Sequence, residues 1–199
     1  MSATNAPFGL RPAFHPTGLD RAQALAGGIA SAYSTGILKG QPVKYDTNGN
    51  IVVAAAGDAF VGAFAGCEWT DNSGRRQISN QWTASTAYQT GSNVSYFYSD
   101  PLIVYEIQAD GSLAQTSIGD EANLSATTAG STTTGLSQCT LSTTLAGANA
   151  QAQMRIVDLA PYVDNAWGDT YTVVRCQIAK FQFAQIYTAA NTAAYPVAI

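Results

Sequence analysis

Charged side chains are scarce in this chain. Asp, Glu, Lys and Arg make up 11% of its 199 residues, where roughly a quarter is usual for a soluble domain. The surface is therefore dressed in Ser, Thr, Asn, Gln and Gly, or partners cover much of it. Nine Lys and Arg against thirteen Asp and Glu leave a net charge of −4. Without a basic footprint, no nucleic-acid partner is expected. His15 is the only histidine, which removes histidine-based triads, multi-histidine metal sites and most general-base arrangements. Cys67, Cys139 and Cys176 are odd in number and widely spaced, with no CxxC pair, and read as buried free thiols. No run of 18 apolar residues occurs, and the first residues carry neither a basic start nor an apolar stretch behind it. No membrane partner is expected, and by its own signals the chain is made and kept in the cytoplasm.

Motifs that carry chemistry are equally thin. Asp120 with Glu121, and Asp158 with Asp164, are acid pairs of the adjacent or loop-borne kind, which are ordinarily solvated surface groups. The glycine-rich piece Gly57-Asp-Ala-Phe-Val-Gly62 lacks the lysine of a phosphate-binding loop and precedes a strand instead of a helix. No catalytic residue, metal ligand or cofactor site emerges, so the expectation is a protein that is not an enzyme.

What the chain does have is β texture. Hydrophobic residues reach 46%, enough at this length for one good core. Between Gly36 and Trp69, apolar segments of about five residues alternate with turn signals, predicting strands over 41–45, 50–54 and 59–69. Asn48-Gly49 predicts a type I′ hairpin between the first two. Gly62 and Gly66 inside the third predict a bulge or a close backbone approach, and hence a curved sheet. Residues 93–98 and 102–108 predict a second hairpin-like pair around Ser99-Asp100-Pro101. Further strands are predicted over 152–160, ended by Pro161, and over 171–183, the longest candidate. Arg75-Arg76 reads as a solvated loop tip or a contact for an acidic partner. The fold class is all-β: an antiparallel barrel or sandwich spanning residues 33–186, with a small Ser/Thr-rich β elaboration over about 111–150.

The ends differ in character. Pro7, Pro12 and Pro16 punctuate the first twenty residues, so no helix or ladder strand is expected there. Residues 1–32 read as an extended arm, and residues 187–199 as a C-terminal tail. Spaced anchors on such an arm, Phe8, Arg11, Phe14 and His15, fit a segment that lies on another surface, its own domain's or a neighbour's.

Across most of its length the chain resembles the capsid decoration, or cement, proteins of tailed bacteriophage heads. The residues carrying the resemblance are Asn5-Ala-Pro-Phe8-Gly9-Leu-Arg11-Pro12, Gly40-Gln-Pro42-Val43, Ile51-Val-Val-Ala-Ala-Ala-Gly57, Gly62-Ala-Phe64-Ala-Gly66-Cys67-Glu68, Gly135-Leu-Ser, Arg155-Ile-Val-Asp-Leu and Asp164-Asn165-Ala166-Trp167-Gly168. The resemblance implies a β-rich protein on the outer surface of the shell that clamps neighbouring major capsid subunits, with the arm anchors as capsid-binding residues and the virion as its location. Scarce charge on β edges, together with the threefold positions of such a shell, predicts a homotrimer, with a dimer as the alternative. The resemblance extends equally to a minor head or fibre-base protein, and Trp69, Trp82, Trp167 and ten tyrosines on a β scaffold leave a further reading, a carbohydrate-binding adhesion module.

Overall fold

The computed structural model describes residues 4–18, 23–147 and 150–184. Among these, one 3-10 turn, Gln115–Ser117, is the sole helical element. The strands in chain order are β1 Arg11–Phe14, β2 Gln23–Ala26, β3 Pro42–Tyr45, β4 Ile51–Val53, β5 Gly62–Thr70, β6 Arg76–Ser79, β7 Val94–Tyr98, β8 Val104–Gln108, β9 Glu121–Ser125, β10 Gly130–Ser131, β11 Leu136–Ser137, β12 Thr140–Leu145, β13 Met154–Leu159 and β14 Val173–Ile178. One sheet has the order β1-β8-β14-β13-β9-β12. The second has the order β2-β7-β5-β3-β4, with β6 also paired to β5, and β10-β11 form a separate ribbon. Every ladder between named strands is antiparallel. The protein is all-β and sandwich-like. The first sheet curls enough for Ala109, just past β8, to bridge Leu141 of β12 without closing a barrel.

Strand β5 organises the second sheet. One edge takes β7, while the other takes β3 near Gly62 and β6 beyond Cys67. Both strand glycines act as predicted. A Cβ on Gly62 would stand 1.5 Å from the Tyr98 carbonyl oxygen, and one on Gly66 would stand 2.8 Å from that of Ser79. The register of β5 against β7 shifts between Phe64 and Gly66. Alternation along β5 then feeds two cores. Ala63 faces the first sheet and joins Tyr105, Ile107, Val174, Cys176 and Met154. Phe64 and Cys67 point the other way, into a second cluster with Ile29, Ile37, Trp82 and Phe97. Segments before β3 and after β6 roof that face, tied by mutual backbone hydrogen bonds between Ile37 and Trp82.

Several local expectations change in three dimensions. The β3–β4 hairpin forms, but its turn is not type I′. Only Gly49 has positive φ (+78°). The loop is a type I turn closed by a glycine bulge, in which the Asp46 carboxylate accepts the Asn48 and Asn50 amides. The loop after β5 repeats this device, with Asp71 accepting the Ser73 and Arg75 amides. Residues 93–98 and 102–108 do form strands, yet β7 and β8 lie in different sheets. Strand β8 is buried at every residue, so it needs partners on both edges, and β1 and β14 supply them. Strand β14 ends at Ile178, and β5 is the longest strand. Ala179 and Lys180 both donate to the Gln153 carbonyl, and Phe181 bridges to Phe60 beside the other sheet.

In the Ser/Thr-rich region, the β10–β11 ribbon stands apart while β9 and β12 are full members of the first sheet. Ala122, Leu124, Cys139 and Leu141 are all fully buried there. Few apolar residues suffice because each one faces inward. Residues 4–18 run extended, as expected, but along the domain itself. Contrary to the reading from its prolines, the segment contributes a ladder strand, β1, at the edge of the first sheet. An edge strand tolerates Pro12 because its missing donor is needed on one side only.

Candidate functional site

Three of the sequence-predicted anchors, Phe8, Arg11 and Phe14, meet at the β1 edge of the first sheet. Arg11 lies directly opposite Glu106 of β8, and its guanidinium donates to Glu106 Oε2 at 2.6 Å. The Tyr162 hydroxyl donates to the same oxygen at 2.5 Å. Arg175 of β14, also opposite Glu106, places Nε 3.5 Å from Oε1 without hydrogen-bond geometry. Two guanidinium groups thus share one buried carboxylate, which keeps the burial of Glu106 affordable. Aromatic rings bracket the pair: Arg11 lies 4.6 Å from the Phe8 ring centre and 5.7 Å from that of Tyr162, and Arg175 lies 5.3 Å from that of Phe14. Such cation–ring contacts contribute about 0.5–1 kcal/mol each at exposed sites.

Three of the four anchors, Phe8, Arg11 and Phe14, therefore belong to one neighbourhood centred on Glu106. Phe14 remains 42% exposed, and the side chain of Arg11 is 47% exposed. His15 goes elsewhere. It is buried, with Nε2 at 3.1 Å from Asp100 and Nδ1 accepting the Thr17 amide. Its role is to secure the end of β1, and it offers no free surface to a partner. Sequence reasoning missed Glu106, Arg175 and Tyr162. Glu106 had a signal, as the one acid inside an otherwise apolar strand; the pairing of Arg175 with it had none, since only sheet order brings β8 and β14 together.

The remaining candidates resolve into structure. Arg76 pairs with Glu68 at 2.5 Å and Arg75 with Asp71 at 3.1 Å. Glu121 pairs with Arg155 at 2.6 Å. Trp82 is fully buried, edge-on to Trp69 and Tyr88, and Trp167 packs against the first core. All three cysteines are buried free thiols. Among the described residues, no cluster of His, Cys, Asp and Glu has the makings of a metal site. Among the same residues, no helix is long and apolar enough to cross a membrane. Comparison with protein families, curated proteins and solved structures returns no match. The β1 edge is what remains: a strand-paired, partly apolar surface carrying two cations and one acid.

Proposed function

We propose that this chain is a non-enzymatic structural protein of a bacteriophage head, one that binds the outer surface of the shell and stabilises it by clamping neighbouring major capsid subunits. The observation that carries the reading is the β1 edge. There Phe14 and Leu102 stay exposed (42% and 51%) near the Arg11–Glu106–Arg175 cluster, Phe14 and the cluster on the paired strands β1, β8 and β14 and Leu102 in the turn that leads into β8. A contact surface set on a sheet loses little entropy on docking. The resemblance of the sequence to capsid decoration proteins and its low charge point the same way. A ligand that binds the assembled shell and not the free subunit stabilises assembly by mass action.

The test is co-sedimentation with empty shells of the cognate major capsid protein, with unassembled subunits as control. The wild-type chain is expected to pellet with shells and to leave free subunits in solution. Phe14→Glu should weaken shell binding by about tenfold, as for a truncated interface anchor, without unfolding the protein. A wild-type chain that ignores shells rejects the proposal.

A further inference from the structure

Beside the β1 edge, between the N-terminal segment and the β10–β11 ribbon, lies a cavity of about 420 Å³. Ligand sites commonly fall in the range of roughly 300–1,000 Å³. Its depth is apolar: Leu10 and Phe64 form a buried floor, and Phe8, Tyr98 and Leu136 wall it. The walls are tied to one another, since Leu10 donates to the Gly40 carbonyl, Gly40 to that of Phe64, and Ser137 to that of Lys39. Among the described residues, the charged side chains lining it are Lys39 and Arg11, both cations. Arg11 already shares Glu106. Lys39 is exposed, and no described side chain pairs with it. A cavity lined by two cations and no carboxylate runs against the net charge of −4 on the whole chain.

A purely apolar occupant would crowd Lys39 without giving it a partner, and a basic one would be repelled. An apolar group with a carboxylate beside it satisfies both floor and rim. We infer that this cavity receives a large apolar side chain of a partner protein, presented on a segment where Asp or Glu flanks it. An aromatic anchor seated in a preformed pocket is the usual centre of a protein interface. The inference deepens the proposed shell-binding role and rests on it for the partner's identity alone.

Blocked tripeptides separate the two ideas. Glutamate–phenylalanine–glutamate is titrated into the full chain, with lysine-flanked phenylalanine and glutamate-flanked alanine as controls, while backbone amide resonances are followed. Saturable shifts confined to Gly40, Leu136 and their neighbours are expected for the first peptide, with little response to either control. Lys39→Glu, or Lys39→Gln if the reversal disturbs folding, should weaken that binding by about fivefold, the scale of one exposed ion pair. Equal binding of the lysine-flanked peptide, shifts elsewhere, or a folded Lys39 variant that binds unchanged overturns the inference. Shell sedimentation of the same variant distinguishes the failures. Wild type and Lys39→Glu binding shells alike would overturn the cavity as the docking point and leave the shell reading standing. A tripeptide bound by a protein that ignores shells would uphold the cavity and remove the shell reading.

Discussion

At the scale of single residues, two strand glycines and three thiols report on tight packing. Gly62 lets the β7 backbone pass where no side chain fits, with 1.5 Å to the Tyr98 oxygen from any added Cβ. The obstacle is backbone, which cannot rotate aside. Gly62→Ala is expected to cost about 3 kcal/mol or more in urea unfolding, and Gly66→Ala, with 2.8 Å to Ser79, less. The reverse order would place the close approach at the wrong strand edge. Burial also decides the thiol chemistry. It pushes Cys67 and Cys139 up to about 12 and raises Cys176 as well. Since the thiolate is the nucleophile, none of the three should react with a disulfide reagent at pH 8 in the native protein. All three should react in denaturant. Fast modification of one native thiol would show that its core cluster opens.

At the scale of elements, paired aspartate loops hold the second sheet's hairpins. Backbone hydrogen bonds, above all from Asn50, lower the Asp46 carboxyl below the ordinary 3.8. Those led by the Arg75 amide do the same for Asp71. A carboxyl held lower in the folded than in the unfolded chain stabilises the fold fully above its unfolded value. That contribution is lost as pH falls through the folded value. Protection of the Asn50 and Arg75 amides, taken as exchange relative to the intrinsic rate at each pH, should therefore hold at neutral pH and fall only below about pH 4, near the unfolded carboxylate value. Asp46→Asn should remove the acid dependence at its own hairpin and leave that at Asp71. The N-terminal segment is judged on the same scale. Leu10 is buried in the first core, so Leu10→Ala should cost about 2–5 kcal/mol, whereas Phe14→Ala on the partly exposed side of β1 should cost no more than about 1 kcal/mol, the scale of its ring contact with Arg175. Comparable costs at both positions would mean that β1 is set into the sheet differently.

At the scale of the whole molecule, the proposed assembly is a homotrimer, with a twofold dimer as the runner-up. Strand β6 leaves Ile78 73% exposed and is paired to β5 alone among the described strands, the kind of edge that proteins tend to cover. Light scattering at micromolar concentration should give three chains per particle, and Ile78→Lys should lower that number. A monomer in both forms would reject the trimer. What the sequence by itself determined here is whatever depends on near neighbours. Apolar segments set between turn signals located β3, β4 and β5, β-branched and aromatic residues located β7 and β8, an apolar run ended by Pro161 located β13, glycine and aspartate placed the loops, and odd, scattered cysteines foretold free thiols. The Ser/Thr-rich strands β9 and β12 were fainter because four small or medium apolar residues do all their burying. Only the tertiary structure decided which strands share a sheet, that β7 and β8 part company at Asp100, and that Pro12 sits in a ladder. It also decided that Arg11 and Arg175 converge on Glu106 and that Lys39 rims an apolar cavity. The physical reason is one of range. A two-residue period tells each strand which face is buried, but it is blind to the partner along its edge, and that partner is chosen by the packing of segments far apart in the chain.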